Sequence, residues 1–72
     1  MSEQIRAEMT ATVWKILVAE GESVTVGEEL MILESMKMEI PIIAETGGSV
    51  ASVLVAEGSS VSEGDVLLTV QT

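Results

Sequence analysis

Short apolar stretches alternate with turn residues along this chain. Four stretches are rich in β-branched and other aliphatic residues, at positions 14–19, 29–33, 50–55 and 65–70. Glycine with glutamate, serine or threonine forms turn signals at 20–23, 26–28, 46–48, 57–60 and 63–65. No stretch keeps a helical period, and short, closely spaced strands are typical of a small sandwich or barrel. The pattern therefore predicts an all-β domain.

The second half of the chain repeats the first half at an offset of 37 residues. Between positions 5–34 and 42–71, 13 of the 30 aligned residues are identical, and Gly21 and Gly27 align with Gly58 and Gly64. Each half has about four short strands and is too small to bury its apolar side chains alone. We therefore expect two four-stranded antiparallel sheets in a flattened barrel or sandwich, related by a pseudo-twofold axis.

The link between the two halves is the candidate for chemistry. Positions 30–35 and 38–43 are predicted to be strands joined by Met36 and Lys37. A two-residue hairpin turn favours positive φ at both central positions, which suits Asn-Gly and not Met-Lys. A residue pair that is unfavourable for the backbone marks a functional candidate. The repeat relates this link to the chain termini, so we expect Lys37 to be exposed at the opposite pole of the domain.

Met36 and Met38 flank Lys37 and leave two interpretations open. Both side chains are long and adaptable, which suits contact with a partner protein. The alternative is that they cap the end of the core, with Lys37 as a solvated turn residue. Trp14 is the single aromatic residue. It also leaves two interpretations open: it is partly buried by packing, or it is exposed and contacts a partner.

Composition and charge exclude several classes of function. The chain has 72 residues, no cysteine and no histidine, which leaves one small core and no thiol, imidazole or zinc chemistry. Its formal net charge of −9 repels nucleic acid and anionic membranes and favours a basic partner surface. We expect no metal site and no self-contained enzyme. Apolar runs are too short to span a bilayer, and positions 1–6 lack a secretory signal, so a cytoplasmic protein is predicted.

The sequence around the lysine resembles a known attachment motif. The stretch Glu34-Ser35-Met36-Lys37-Met38-Glu39 is similar to the motif of biotin carrier domains, in which a Met-Lys-Met core surrounds the lysine that is biotinylated. The similarity extends to the segment 44–50 and to the internal pseudo-symmetry, and it covers residues 5–72. Position 35 is Ser where this family most often has Ala. No insertion resembles the protruding thumb of many bacterial acetyl-CoA carboxylase carriers, so the chain most resembles a small single-domain biotin carrier protein.

This resemblance implies that the chain is a carrier. Biotin would be its covalent cofactor on Lys37, attached by a biotin protein ligase, with Met36 and Met38 recognised by the ligase or other partners. The loaded arm would carry CO2 as carboxybiotin from a biotin carboxylase to a carboxyltransferase, so catalysis would belong to those partners. Residues 5–72 would form the biotinyl domain and residues 1–4 an N-terminal tail. Two alternatives share the fold: a lipoyl carrier, whose motif usually has Asp-Lys-Ala, and an unmodified protein-interaction module.

Overall fold

The structure, a computed structural model, describes residues 2–72, and these residues form eight strands and no helix. The strands make two antiparallel four-stranded sheets, ordered β1-β8-β6-β3 and β5-β4-β2-β7. The predicted all-β fold with two such sheets is confirmed. None of the described residues belongs to a helix that is long and apolar enough to cross a membrane. The strands are β1 (Ser2–Arg6), β2 (Ala11–Ile16), β3 (Ser23–Val24), β4 (Glu29–Ser35), β5 (Met38–Ile43), β6 (Gly48–Val53), β7 (Ser60–Val61) and β8 (Val66–Gln71).

The 37-residue offset of the sequence relates the two sheets strand by strand. Adding 37 to the bounds of β2 and β3 gives those of β6 and β7, and β1 and β4 map onto β5 and β8 to within one residue. Each sheet contains strands from both halves, because β1 pairs with β8, β3 with β6 and β2 with β7. The two halves are therefore interlocked, and the predicted pseudo-twofold symmetry is present in the backbone.

The turns repeat under the same relation and tie the two halves together. The Gly21 N–H donates to the Val50 carbonyl oxygen at 2.8 Å, and the Gly58 N–H donates to the Val13 carbonyl oxygen at 2.7 Å. Both glycines have a φ of 89°, which residues with a side chain rarely adopt. Carboxylates add matched contacts, since Glu57 accepts from the Ile16 N–H at 3.0 Å and Glu20 accepts from the Val53 N–H at 3.3 Å.

The core lies between the two sheets and takes its side chains from both halves. Its most deeply buried members are aliphatic and belong to the central strands of each sheet. They form four pairs at the 37-residue offset, so each half supplies one member of every pair. Because the pairs meet in one core, neither half can exclude water alone. The pairs are Val13 with Val50, Leu30 with Leu67, Met31 with Leu68, and Leu33 with Val70.

The termini and the β4–β5 hairpin lie at opposite ends of the domain. Ser2 pairs with Gln71, which also pairs with Ser49, and Ser49 pairs with Ser23 of β3. Strand β4 begins just after β3, at this terminal end, and runs for seven residues, or about 23 Å, to the hairpin turn. The longest dimension of the domain is 33 Å. The predicted position of the link, at the pole away from the termini, follows from this topology.

Two segments differ from the sequence prediction. Residues 2–4 belong to β1 and pair with β8, so the predicted tail is wrong for these residues, and Met1 lies outside the described residues. The side chains of residues 2–4 are polar and gave no apolar signal for a strand. An edge strand can form without one, because backbone hydrogen bonds hold it. Strand β2 ends at Ile16 and not at residue 19, where the Ala19 N–H donates instead to the Glu22 carboxylate at 3.1 Å and closes a turn.

Truncating either member of a buried pair should destabilise the whole domain, because both halves share one core. Leu30→Ala and Leu67→Ala each remove a side chain with no exposed surface, so each should lower the free energy of unfolding by about 2–5 kcal/mol. Leu54 is 57% exposed, and Leu54→Ala should change the stability by at most about 0.5 kcal/mol. Urea denaturation followed by circular dichroism measures all three, and two separate transitions would contradict a single shared core.

Candidate functional site

Strands β4 and β5 form a hairpin whose connection is the two-residue turn Met36-Lys37. Ser35 pairs with Met38, so the ladder continues up to the turn. The φ angle is 52° at Met36 and 65° at Lys37, and no other non-glycine residue between positions 2 and 72 has a positive φ. Positive φ at both central positions is the geometry predicted for this connection, and it is confirmed.

The turn holds Met36 and Lys37 in a conformation that is unfavourable for residues with a side chain. Left-handed backbone costs an L residue roughly 1–2 kcal/mol. The neighbouring ladder keeps the strain in place, because β4 is a central strand between β5 and β2 and its Leu33 is buried in the core. The lysine therefore projects from a rigid support.

Lys37 presents its amine to solvent at the hairpin tip. Its side chain is exposed, and within residues 2–72 it makes no hydrogen bond or ion pair. The other two cations are engaged. Lys15 lies over Trp14 with its Nζ 5.4 Å from the ring centroid, and Arg6 donates to the Gly64 carbonyl oxygen at 2.8 Å. Among the described residues, Lys37 is thus the cation that is available to a partner.

Met36 and Met38 form an apolar surface on both sides of Lys37. Met36 is 92% exposed and Met38 is 65% exposed, whereas Met31 is fully buried. The two side chains do not cap the core, so that interpretation is wrong. Since most of the surface of both side chains stays exposed, contact with another protein is the interpretation that the geometry favours.

Trp14 is a surface residue and not part of the core. The register of β2 against β4 shifts between Val13 and Lys15, so Trp14 is the extra residue of a β-bulge. Trp14 follows the buried Val13 along the strand, so its side chain lies on the outer face and is 43% exposed. The predicted partial burial of Trp14 is confirmed, and its contact with a partner stays a prediction.

Two glutamates face each other across the hairpin just behind the turn. Glu34 and Glu39 are directly opposite in the ladder, and both are exposed. Like charges in this position destabilise an antiparallel strand pair. Together with the net charge of −9, they surround the Lys37 amine with negative potential. Such a surface attracts a partner whose binding site is basic.

The tip offers an amine and no enclosing cavity. A groove of about 390 Å³ lies between the edge strands β1 and β5, but it is lined by side chains from positions 4–8 and 41–45 and not by Lys37. Pro41 has no backbone N–H, and it is accommodated because β5 is the outer strand of its sheet. A group joined to Lys37 would extend from the hairpin into solvent. The geometry therefore fits a covalent arm that enters the site of another protein.

The fold and the tip together define a small all-β domain that presents one exposed lysine at the end of a hairpin. A family model described as "Biotin-requiring enzyme" matches residues 2–70, and the chain belongs to this family. The predicted relationship to biotin carriers is thereby confirmed at the level of the family. The match starts at residue 2, in agreement with the observed start of β1.

Individual relatives are similar in sequence and in structure. The chain is 48% identical over 48 residues to a "Biotinylated protein TB7.3 homolog" of Mycobacterium leprae. This alignment covers 67% of this chain and 68% of that protein. It is 48% identical over 44 residues to a "Biotin/lipoyl attachment protein" of Bacillus subtilis, which covers 61% of this chain and 60% of that protein. The solved urea carboxylase of Kluyveromyces lactis superposes with a TM-score of 0.92 at 31% identity, covering 99% of this chain and 6% of that chain.

Replacing Lys37 by glycine should stabilise the domain, because glycine adopts the positive φ of the turn without strain. We expect a gain of about 1 kcal/mol, or a rise in Tm of roughly 4–8 °C for a domain of this size. Lys15→Gly is the matched control, and it should lower stability by about 0.5–1 kcal/mol because it places glycine within a strand. Thermal unfolding followed by circular dichroism measures both, and a lower Tm for Lys37→Gly would contradict a strained turn.

Proposed function

We propose that this chain is a biotin carboxyl carrier domain in which Lys37 receives biotin through an amide bond at its Nζ. The hairpin tip carries the proposal, because a free amine is held there on the one non-glycine turn with positive φ in the described residues. The family supports biotin as the group. The Mycobacterium leprae relative, which is named as a biotinylated protein, supports covalent attachment.

Attachment would be an acyl transfer in which the domain provides position. A biotin protein ligase presents biotinyl-adenylate, and the Lys37 Nζ attacks the carboxyl carbon. The amide bond forms as AMP leaves, and the amine loses a proton. The attacking amine must be in its neutral form, and no basic side chain lies beside Lys37 in the described residues, so the ligase must supply the base. The contribution of this domain is a fixed location for the nucleophile, which lowers the entropic part of the barrier.

The residues around Lys37 would determine how the ligase and other partners recognise the tip. Met36 and Met38 provide apolar surface on both sides of the amine, and burying one such side chain contributes roughly 1.5–3 kcal/mol. Glu34 and Glu39 provide negative charge just behind it. These two features favour a partner whose binding site has apolar residues to contact the methionines and basic residues to contact the glutamates.

The loaded domain would act as an accessory carrier and not as an enzyme. Attached biotin accepts a carboxyl group and passes it to an acceptor. The reacting partners are a biotin carboxylase and a carboxyltransferase, whose sites the arm reaches in turn. Support comes from a solved long-chain acyl-CoA carboxylase, which superposes on this chain with a TM-score of 0.91. The superposition covers 99% of this chain and 7% of that protein. A cytoplasmic location stays a prediction from the sequence.

Intact-protein mass spectrometry tests the attachment site. After incubation with biotin, ATP and a biotin ligase, the chain should gain one biotinyl adduct, and Lys37→Arg should gain none although it keeps the positive charge. Lys15→Arg is the matched control and should still be modified. If the unmutated chain gains no adduct while a known acceptor in the same mixture does, the biotin assignment is wrong. A lipoyl adduct formed by a lipoate ligase would then support the lipoyl alternative.

Neutralising the facing glutamates should separate stability from recognition. In the double variant Glu34→Gln, Glu39→Gln, loss of repulsion should raise the free energy of unfolding by about 0.2–1 kcal/mol. The same change should slow biotin transfer by about tenfold at low salt, because steering of a basic ligase site is lost. Glu29→Gln, at the far end of β4, is the control and should leave the rate unchanged. Equal rates for all variants at low salt would contradict a role of this pair in recognition.

A further inference from the structure

The methionines of this chain differ widely in their access to solvent. The exposed fraction is 92% for Met36, 65% for Met38, 40% for Met9 and zero for Met31. Oxidation requires contact between a peroxide and the thioether sulfur, and exposed thioethers are therefore attacked first. The two methionines that flank the attachment lysine are thus the most accessible ones among residues 2–72.

The chain has few other side chains that react with peroxide. The sequence has no cysteine, so the thiolate that usually reacts first with peroxide is absent. It also has no histidine or tyrosine, and Trp14 is the single aromatic residue. Methionine is therefore the main oxidisable side chain of the domain, and among residues 2–72 the hairpin tip holds the most exposed methionines.

We propose that Met36 and Met38 form a peroxide-sensitive modification site that controls the loading of Lys37. Oxidation of either thioether to the sulfoxide blocks biotin attachment, and enzymatic reduction of the sulfoxide restores it. The inference rests on the proposed function of Lys37 as the attachment residue. It adds a modification of the neighbouring side chains that acts before loading.

The chemistry is a two-electron oxidation by hydrogen peroxide. The thioether sulfur attacks one peroxide oxygen, the S–O bond forms and the O–O bond breaks. The sulfur is oxidised and the peroxide is reduced. The second oxygen leaves as hydroxide and takes up the proton of the oxygen now bound to sulfur, which gives the sulfoxide and one water molecule. The sulfoxide is reversible by methionine sulfoxide reductases, which return the thioether.

The effect on loading follows from the change in polarity. A sulfoxide is polar and accepts hydrogen bonds, whereas the thioether is apolar. A ligase surface that fits the apolar side chains must desolvate the sulfoxide oxygen without giving it a donor, which is unfavourable. Met36 has no alternative position within the domain, because its backbone is fixed in the strained turn and its side chain touches no core.

The fold itself should tolerate oxidation at the tip. Met36 and Met38 contribute no buried surface of the core, and Met31, which does, is shielded from solvent. Peroxide therefore changes recognition while the barrel stays folded. This distinguishes a controlling site from general oxidative damage, in which loss of activity follows unfolding.

A separation experiment on the unmutated chain tests the proposal directly. The chain is partly oxidised with hydrogen peroxide, freed of peroxide and then incubated with biotin, ATP and a limiting amount of biotin ligase. Streptavidin separates loaded from unloaded molecules, and peptide mass spectrometry locates the sulfoxides in each fraction. Sulfoxide at Met36 and Met38 should be depleted about tenfold in the loaded fraction, which corresponds to about 1.4 kcal/mol. Sulfoxide at Met9 should be distributed equally.

Two variants and a stability measurement complete the test. We compare the loading rate with and without peroxide treatment. For the double variant Met36→Leu, Met38→Leu the ratio of the two rates should stay near one. For Met9→Leu the ratio should fall as it does in the unmutated chain. Circular dichroism should show that the oxidised chain keeps its fold. Equal sulfoxide distribution at all sites, or the same peroxide sensitivity in the tip variant, would overturn the proposal. Absence of any adduct on the untreated chain would instead refute the function of Lys37, so the two failures are distinguishable.

Discussion

The pairing of strands from opposite halves around one shared core is the constraint on which the rest of this structure depends. Strands β1, β2 and β3 find partners in β8, β7 and β6, and the buried side chains come in symmetry-related pairs. A domain of 72 residues has a small core. Sharing that core between the halves makes folding cooperative, because neither half keeps a core of its own.

The same interlocking provides the rigid support that the hairpin tip requires. Strand β4 lies between β5 and β2 with one face in the core, and it carries the strain of two left-handed residues at its end. The symmetry counterpart of this turn is the pair of chain termini. The fold therefore has two similar ends, of which one holds the chain ends and the other presents Lys37 away from them.

Several features of the tip are unfavourable for the domain alone. Met36 and Lys37 adopt positive φ, Met36 and Met38 are exposed apolar side chains, and Glu34 faces Glu39 across the ladder. Binding of another protein would make two of these features favourable, because a partner would bury the methionines and neutralise the glutamates. The positive φ of the turn stays a cost, which the strand ladder holds in place. The tip is thus adapted to an encounter with a partner and not to the stability of the free domain, and its exposure also makes the methionines accessible to oxidants.

Much of this molecule follows from local sequence. The repeat at an offset of 37, the turn glycines and the hairpin around Met36 and Lys37 are local or periodic signals, and they predicted the two sheets, the symmetry and the candidate lysine. The strand formed by residues 2–4 was missed, because an edge strand can be polar when backbone hydrogen bonds hold it. Only the tertiary structure decided that Met36 and Met38 are exposed while Met31 is buried, and that β2 bulges against β4 at Trp14. Exposure and bulges depend on which strands meet in space, and a single sequence records the apolar character of a residue but not the surface that covers it.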